Sequence, residues 1–442
     1  MPLPAKPSAT AKERIAAGRK QRELAGRRAH AAWRAEGRPF DPIEVLLASA
    51  DGRLPRLLPL KYARMKASPF AFFRGAVSIM AADLAALPNS GLQAQLCGDA
   101  HVQNLGSFAA PDGRLVFDIN DFDESIRGPW EWDVKRMAAS LVLAGRESGH
   151  DLQACRAAAE ECAAAYCRFM QELSRLPYLD LARLQVHREE RVAPVHAALR
   201  QSERARPLDL LQRFTERGRD GSPRFRDMKP VLWRVQGAEA RGVMHSLGAY
   251  RQTLLSDRRQ FFDRFRPFDV GFKVVGTGSV GLRDYVILFE GNGPKDPLFL
   301  QVKQEAASAY AKYLPDASAA HHGRRTADAQ RAIQPLSDLL LGWTAIGPHQ
   351  YLVRQLNDHK GGIDLRKLRG GGLRSLATLA GELLARGHAR SGDAYQIRGY
   401  CGSGKKMAKA LGEFAVHYAA QTEADYKAFL AATRSGRIKA AL

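Results

Sequence analysis

Apolar positions recur with helical spacing over long stretches of the chain and crowd together in short runs elsewhere. Val77, Ile79, Met80, Leu84 and Leu87 approximate one buried face and predict a helix from Ala76 to about Leu87. Ser68-Pro69-Phe70-Ala71-Phe72-Phe73-Arg74-Gly75 leads into it and Pro88-Asn89-Ser90-Gly91 ends it. Trp132 to about Leu173 is helical with a break near Gly149, and residues 174–265 are charged and mostly helical. Further helices are predicted from about Ala327 to Trp343, from Leu373 to Gly387 and over most of Lys405 to Thr433. Strands are predicted at Leu92 to Leu96 and, after the Pro111-Asp112-Gly113 turn, at Arg114 to Ile119. Val270 to Val275, Tyr285 to Phe289 and Leu298 to Val302 are three more, joined by Gly-rich turns, and Gln350 to Leu356 follows. Ala11 to Glu36 reads as a basic helix with little apolar face beyond Ile15, Leu24 and Trp33, hence as a solvated or loosely docked arm. No internal repeat is present.

The length of 442 residues allows two or three lobes with sizeable cores. No run of eighteen apolar residues is present, so no membrane span is expected, and no apolar stretch follows the basic N-terminus to make a secretory signal. The five cysteines, Cys97, Cys155, Cys162, Cys167 and Cys401, are scattered without a CxxC pair. Neither a zinc site nor a disulfide framework is expected, and a cytoplasmic location is the default. The net charge of +21 is spread along the chain, mostly as arginine. No zinc finger, aromatic RNA-binding stretch or evident helix-turn-helix accompanies it, so dedicated nucleic-acid binding is disfavoured. An acidic or polyphosphorylated substrate fits the charge equally well.

The chemistry concentrates in Cys97-Gly98-Asp99-Ala100-His101-Val102-Gln103-Asn104 and Val116-Phe117-Asp118-Ile119-Asn120-Asp121-Phe122-Asp123-Glu124. A kinase-type phosphotransferase needs one carboxylate at the attacking hydroxyl, and an amide and a second carboxylate for Mg²⁺. Asp99, on a loop at a strand end, suits the first role. Asn104 and Asp121 suit the second, and His101 can orient the loop by hydrogen bonding. Each alone would read as a turn or cap residue; the set at this spacing points to catalysis. Asp118, Asp123 and Glu124 compete for the metal role. Asp121 is preferred because it ends the apolar run and precedes Phe122, whereas Asp118 lies within the strand, where a carboxylate more often faces solvent.

Far downstream, Gly276-Thr277-Gly278-Ser279-Val280-Gly281 fits GxGxxG. A dinucleotide fold would begin a helix here. The residues that follow, Leu282 to Phe289, read as a strand, and a further strand carries Lys303. Strand, glycine loop, strand and lysine is the arrangement that cradles the phosphates of ATP. Gly276, Gly278, Ser279, Gly281 and Lys303 are the nucleotide-binding candidates. Glu305 and Asp338 are rival partners for the lysine.

Gly98-Asp99-x-His101-x-x-Asn104 followed by Asn120-Asp121-Phe122 resembles the catalytic motif of aminoglycoside-phosphotransferase-like and choline-kinase-like enzymes. The resemblance implies that Asp99 is the catalytic Asp, and that Asn104 and Asp121 hold the metal. Gly128-Pro129-Trp130-Glu131-Trp132-Asp133 resembles the next stretch, whose Asp braces the catalytic loop. Cys97 departs from the usual His. Gln350 to Leu356 resembles the last strand of the nucleotide lobe, Asn357 to Gly362 the hinge, and Leu373 to His388 the long helix that follows it. Residues from about 40 to 437 are also similar to the bacterial domain of unknown function 2252 family, which implies no substrate. His388, Arg390 and Asp393 belong to that similarity, as contacts to substrate or to the Asp99 loop or as a structural hydrogen-bond cluster.

Together these readings predict an α+β, bilobal, protein-kinase-like (aminoglycoside phosphotransferase-like) fold in permuted order. Residues 1–40 would be a basic arm and 41–265 the catalytic loop with the helical C-lobe elements. Residues 266–362 would form the β-rich nucleotide-binding N-lobe, and 363–442 a helical return to the C-lobe. The expected activity is ATP- and Mg²⁺-dependent phosphoryl transfer to a hydroxyl, with specificity carried by residues 174–265 and by Phe70 to Arg74. Rival readings are a kinase-fold AMP transferase, a non-catalytic ATP-binding regulator and a basic nucleic-acid-binding protein.

Overall fold

The computed structural model describes residues 9–33, 37–185, 192–204, 207–218, 221–315, 319–356, 361–365 and 368–441. The N-terminal part comprises α1 (Ala11–Lys20), α2 (Pro42–Ala48), α3 (Leu58–Met65), α4 (Pro69–Gly75) and α5 (Val77–Ala85). Four short strands follow, β1 (Gln93–Leu96), β2 (Leu105–Ala109), β3 (Leu115–Ile119) and β4 (Ile126–Pro129). Next come α6 (Glu131–Glu147), α7 (Leu152–Leu173), α8 (Tyr178–Arg183), α9 (Ala193–Arg204) and α10 (Pro207–Phe214). The strands β5 (Thr215–Arg217), β6 (Pro223–Phe225) and β7 (Leu232–Val235) precede α11 (Gly237–Thr253) and α12 (Ser256–Phe262). The strand-rich part continues with β8 (Arg266–Lys273), β9 (Asp284–Glu290), β10 (Pro297–Glu305), α13 (His322–Ile333), β11 (Gly342–Ile346), β12 (His349–Gln355) and β13 (Gly361–Gly362). The chain ends in α14 (Gly372–Ser391), α15 (Ala394–Cys401) and α16 (Lys405–Arg434).

The chain is a mixed α+β protein. Among the described residues an antiparallel sheet in the order β11-β12-β10-β9-β8-β7 forms one half. Side chains alternate across it. On β10, Leu298, Leu300 and Val302 join Val243 and Tyr250 of α11 and Phe262 of α12 in one core. Phe299, Gln301 and Lys303 therefore point to the opposite face. The other half is helical: α6, α7, α14 and α16 pack around a core that also takes in Leu96, Leu105 and Ile119 from the short strands. Asp151 caps α7 by accepting from the Ala154 amide at 2.7 Å, while Gly149 at φ 83° makes the break between α6 and α7.

Several expectations are corrected. The helix predicted from Ala327 to Trp343 starts at His322 and stops at Ile333. Pro335 disfavours helical backbone at Gln334, whose side chain instead donates to the Ile119 carbonyl at 2.6 Å. Trp343 lies in β11, and Asp338 turns the chain by accepting from the Leu340 amide. The described residues of 174–265 include the strands β5, β6 and β7, and β7 extends the main sheet. The basic arm is firmly docked. Arg14 pairs with Asp393 at 2.8 Å, Arg22 donates to the Tyr400 carbonyl, and buried His30 lies 2.6 Å from the Tyr400 hydroxyl. Gly18 packs so closely on α15 that a Cβ there would lie 1.9 Å from the Gln396 carbonyl oxygen. Residues 357–360 of the expected hinge lie outside the described residues; Gly361 and Gly362 pair with Ser107 and Gly106 of β2. No described helix is long and apolar enough to cross a membrane.

Candidate functional site

β1 delivers the chain into the Asp99 loop, and α6 holds that loop from below. The buried carboxylate of Asp133, in the first turn of α6, accepts from the Cys97 amide at 2.8 Å and the Gly98 amide at 3.0 Å. Gly98 has φ 82°, and a Cβ there would lie 2.0 Å from the Glu124 carbonyl oxygen, so only glycine fits. The Tyr310 hydroxyl donates to the Gly98 carbonyl at 2.8 Å. One turn along α6 from Asp133, Arg136 reaches Asp99. Its Nε and Nη2 lie 2.7 and 2.5 Å from Asp99 Oδ1. Nη2 also donates to the Phe73 carbonyl at 3.1 Å, and the guanidinium stacks over the Phe73 ring. Asp99 is thereby held in place with part of its carboxylate open to solvent.

His101 Nε2 is 3.6 Å from Asp99 Oδ2, too long for a hydrogen bond, and its Nδ1 is buried without a partner. Burial pushes the imidazole down to about 3, so it is neutral around pH 7. The Asn104 side chain donates from Nδ2 to the Asp99 carbonyl at 2.8 Å, which fixes the amide by its nitrogen. The backbone of Asn120 then bonds back to Asn104 (N to O, 3.0 Å), bringing Asp121 next to the loop.

Lys303 enters from β10. Its Nζ is 2.5 Å from Asp123 Oδ2 and 3.8 Å from Asp121 Oδ1, and its side chain is only 3 % exposed. Burial disfavours the ammonium, but Asp121, Asp123 and Glu305 outweigh that cost and hold it above the ordinary lysine range. Burial and neighbouring Asp121 push Asp123 up to about 6 against the pull of Lys303. Glu305 does not pair with the lysine; Thr326 donates to it at 3.0 Å and Arg325 lies 3.8 Å away. Asp338 instead takes the backbone amides of Leu340 and Gln355.

The loop from Gly276 to Gly281 lines the clefts beside this group. Gly276 and Gly281 have φ 57° and 99°. Arg53 donates to the carbonyls of Gly278 (2.7 Å) and Val280 (2.6 Å), and Arg64 donates to that of Gly276. Ser279 Oγ donates to the Val275 carbonyl at 3.2 Å. Two clefts flank the loop. One of about 480 Å³ holds Asp99, His101, Asn104 and Asp123, and one of about 560 Å³ holds Lys273, Lys303, Gln301 and Arg354. Asp121, Gly276 and Ser279 line both. Gly278 lines the first alone, and Gly281 packs on Arg53.

A family model described as "uncharacterized protein conserved in bacteria (DUF2252)" matches residues 53–432. The chain belongs to the DUF2252 family. Neither the curated proteins nor the solved structures contain a match to it.

In this DUF2252 chain, Asp99, His101, Asn104, Asp121 and Lys303 come together with Gly276, Gly278 and Ser279 around the paired clefts. Asp123, in sequence a competitor for the metal role, is the partner of Lys303. Asp121 and Asp123 lie together on a turn, where the Asp123 amide donates to Asp121 Oδ1 at 3.3 Å. Arg136 lies three residues beyond Asp133 on one helix face, a spacing that puts both beneath the loop. Asp118 is not solvated: it is 4 % exposed, and Arg386 of α14 contacts both its oxygens at 2.6 and 2.7 Å. The cluster around His388 is structural. His388 bridges the Tyr166 hydroxyl and Asp133, Arg390 donates to the Ala332 carbonyl, and Asp393 caps α15. Cys97 is buried, and burial pushes its thiol well up.

Among the described residues no group of three or more His, Cys, Asp or Glu is arranged to hold a metal. Asn104 and Asp121 both line the cleft of about 480 Å³, and their amide and carboxylate oxygens would be the hard donors available to a metal there. Mg²⁺ accepts such a set when substrate phosphates and water complete its shell.

Proposed function

We propose that this protein is an ATP- and Mg²⁺-dependent phosphotransferase that acts on a hydroxyl of a small molecule or protein, on a permuted kinase-like fold. The observation that carries this reading is the position of Lys303. It lies one strand beyond the strand that follows the glycine loop and sits 3.8 Å from Asp121, beside the cleft that contains Asp99 and Asn104. A glycine loop, a strand lysine, a metal carboxylate, a metal amide and a catalytic carboxylate are the parts that phosphoryl transfer uses.

In this reading the nucleotide lies in the larger cleft. Phe214, Leu339 and Leu356 offer apolar surface there, and Lys303, Lys273 and Arg354 offer charge to the phosphates. The acceptor enters the smaller cleft. Asp99, aligned by Arg136, receives the hydroxyl proton as the acceptor oxygen attacks the γ-phosphorus and ADP leaves. Mg²⁺ bound by the oxygens of Asn104 and Asp121 would supply charge neutralisation at the phosphates. Neutral His101 packs behind the loop and stays outside proton transfer.

The test is incubation of the protein with Mg-ATP, labelled in turn at the γ- and α-phosphates, and an extract of small molecules and proteins. The expected result is γ-label on an acceptor, lost in Asp99→Asn. Transfer of α-label instead would convert the assignment to adenylyl transfer. Binding of Mg-ATP with transfer of neither label would make the protein a nucleotide-binding regulator.

A further inference from the structure

Three polar groups line the smaller cleft and have no use in the chemistry above. Lys61 of α3 is 2 % exposed, yet its ammonium makes no hydrogen bond or ion pair with any described residue. The Nε of Arg74, on α4, and the hydroxyl of Ser78, on α5, are buried without partners. α3 and α4 pack on one another, and Ser78 lies one turn beyond Arg74 across the kink at Ala76. Three successive helices thus present unpaired donors to one space.

Of the acids around them, Asp99 and Asp121 attract Arg74 electrostatically and Asp51 lies at the exposed rim of the cleft. Asp99 is held by Arg136, Asp123 by Lys303, and Glu305 by Thr326. Glu124, the carboxylate that acts on Lys61 electrostatically, accepts from the Ala309 amide at 2.6 Å. Arg53 repels Lys61 and spends its own donors on the glycine loop. Burial, and Arg53 after it, push the Lys61 amine well below the ordinary lysine range, so its charged form is unfavourable until a counter-charge arrives. A phosphate group offers three acceptor oxygens, enough for an ammonium, a guanidinium and a hydroxyl together.

We propose that Lys61, Arg74 and Ser78 form a subsite for a phosphate group on the acceptor, so that the substrate is a phosphorylated compound presenting a free hydroxyl to Asp99. This rests on the phosphotransferase reading for its hydroxyl and on the unpaired donors for its phosphate. It accounts for Phe70 to Arg74 as a specificity segment, since Arg74 lies at its end.

The probe is inorganic phosphate, titrated by thermal shift against chloride of equal ionic strength, with Mg-ATP titrated in parallel. Phosphate is expected to stabilise the wild type. Lys61→Met and Arg74→Gln should each weaken that response by about tenfold or more while leaving Mg-ATP binding intact, and Lys303→Ala should do the reverse. Loss of the phosphate response in Lys303→Ala but not in Lys61→Met would place phosphate among the nucleotide contacts. That result overturns the subsite and spares the phosphotransferase reading. A Lys61-dependent phosphate response without Mg-ATP binding would do the opposite. No response to phosphate in the wild type overturns the subsite outright. Should the variants fail to fold, amine-selective labelling of the wild type, mapped by peptide mass, is decisive. Phosphate should slow modification of Lys61 relative to exposed Lys405, and equal rates with and without phosphate would contradict the proposal.

Discussion

Replacing Asp133 with alanine removes the acceptor of two buried backbone amides, those of Cys97 and Gly98 at 2.8 and 3.0 Å. No other acceptor is bonded to either amide among the described residues. A buried donor left unsatisfied costs about 1–3 kcal/mol, so the two amides together predict a loss of about 2–6 kcal/mol. The 3.3 Å contact from His388 to the same carboxylate adds little by comparison, and His388→Ala should cost less than Asp133→Ala. Asp133→Asn keeps one oxygen but turns an amide nitrogen toward a backbone donor, and should recover at most part of the loss. The assay is urea unfolding, read as a lowered midpoint at unchanged slope. Trp130 and Trp132, buried beside Asp133, supply the fluorescence signal. A loss below about 0.5 kcal/mol in Asp133→Ala, within the range of an ordinary surface change, would refute the claim that α6 holds the loop through this carboxylate.

Other consequences can be measured separately. Lys303→Met leaves Asp123 buried beside Asp121 without its cation. The folded pKa of Asp123, already raised to about 6, rises further, so the stability contribution present at low pH is lost as pH increases through that value. The variant should lose about 3–5 kcal/mol at pH 8 and clearly less at pH 5; a deficit that grows in acid would contradict this. Burial pushes His30 down to about 3, below its ordinary unfolded value, so its contribution is fully present above about pH 6.5 and falls away toward pH 3. His30→Gln should flatten unfolding free energy, read from urea titrations, against pH across that window, with a slope change of up to about 1.4 kcal/mol per pH unit; an unchanged slope would count against the assignment. Gly18→Val forces a Cβ against the Gln396 carbonyl and should release the basic arm to trypsin, whereas the arm of the wild type should resist cleavage.

Much of the candidate site was legible because its residues lie at strand ends and on loops, where spacing carries information. Asp99, Asn104 and Asp121 fall around one cleft, and Lys303 of β10 lines the adjoining one, 3.8 Å from the shared Asp121. What escaped was pairing between distant segments. Nothing local says that Asp118 meets Arg386, and the rule that a strand carboxylate faces solvent fails where a helix supplies its counter-ion. Asp123 looked like a spare acid until β10 brought it a lysine. The overextended helix at Ala327 shows a pattern overriding a breaker: Pro335 was in plain view, yet the apolar spacing through Leu340 and Leu341 mimics a helix because both residues are buried in the turn toward β11. The arm was misread because its few apolar residues conceal a docking made of glycine contacts and arginine-to-carbonyl bonds.

The most direct test of the proposed activity is thermal-shift titration with ATP and Mg²⁺ on the wild type, Asp121→Ala and Lys303→Ala. Nucleotide at a hundred times its dissociation constant should stabilise the wild type by about 2.7 kcal/mol. The response should lose its Mg²⁺ dependence in Asp121→Ala and collapse in Lys303→Ala. A wild type whose melting temperature does not move with Mg-ATP would contradict the central claim.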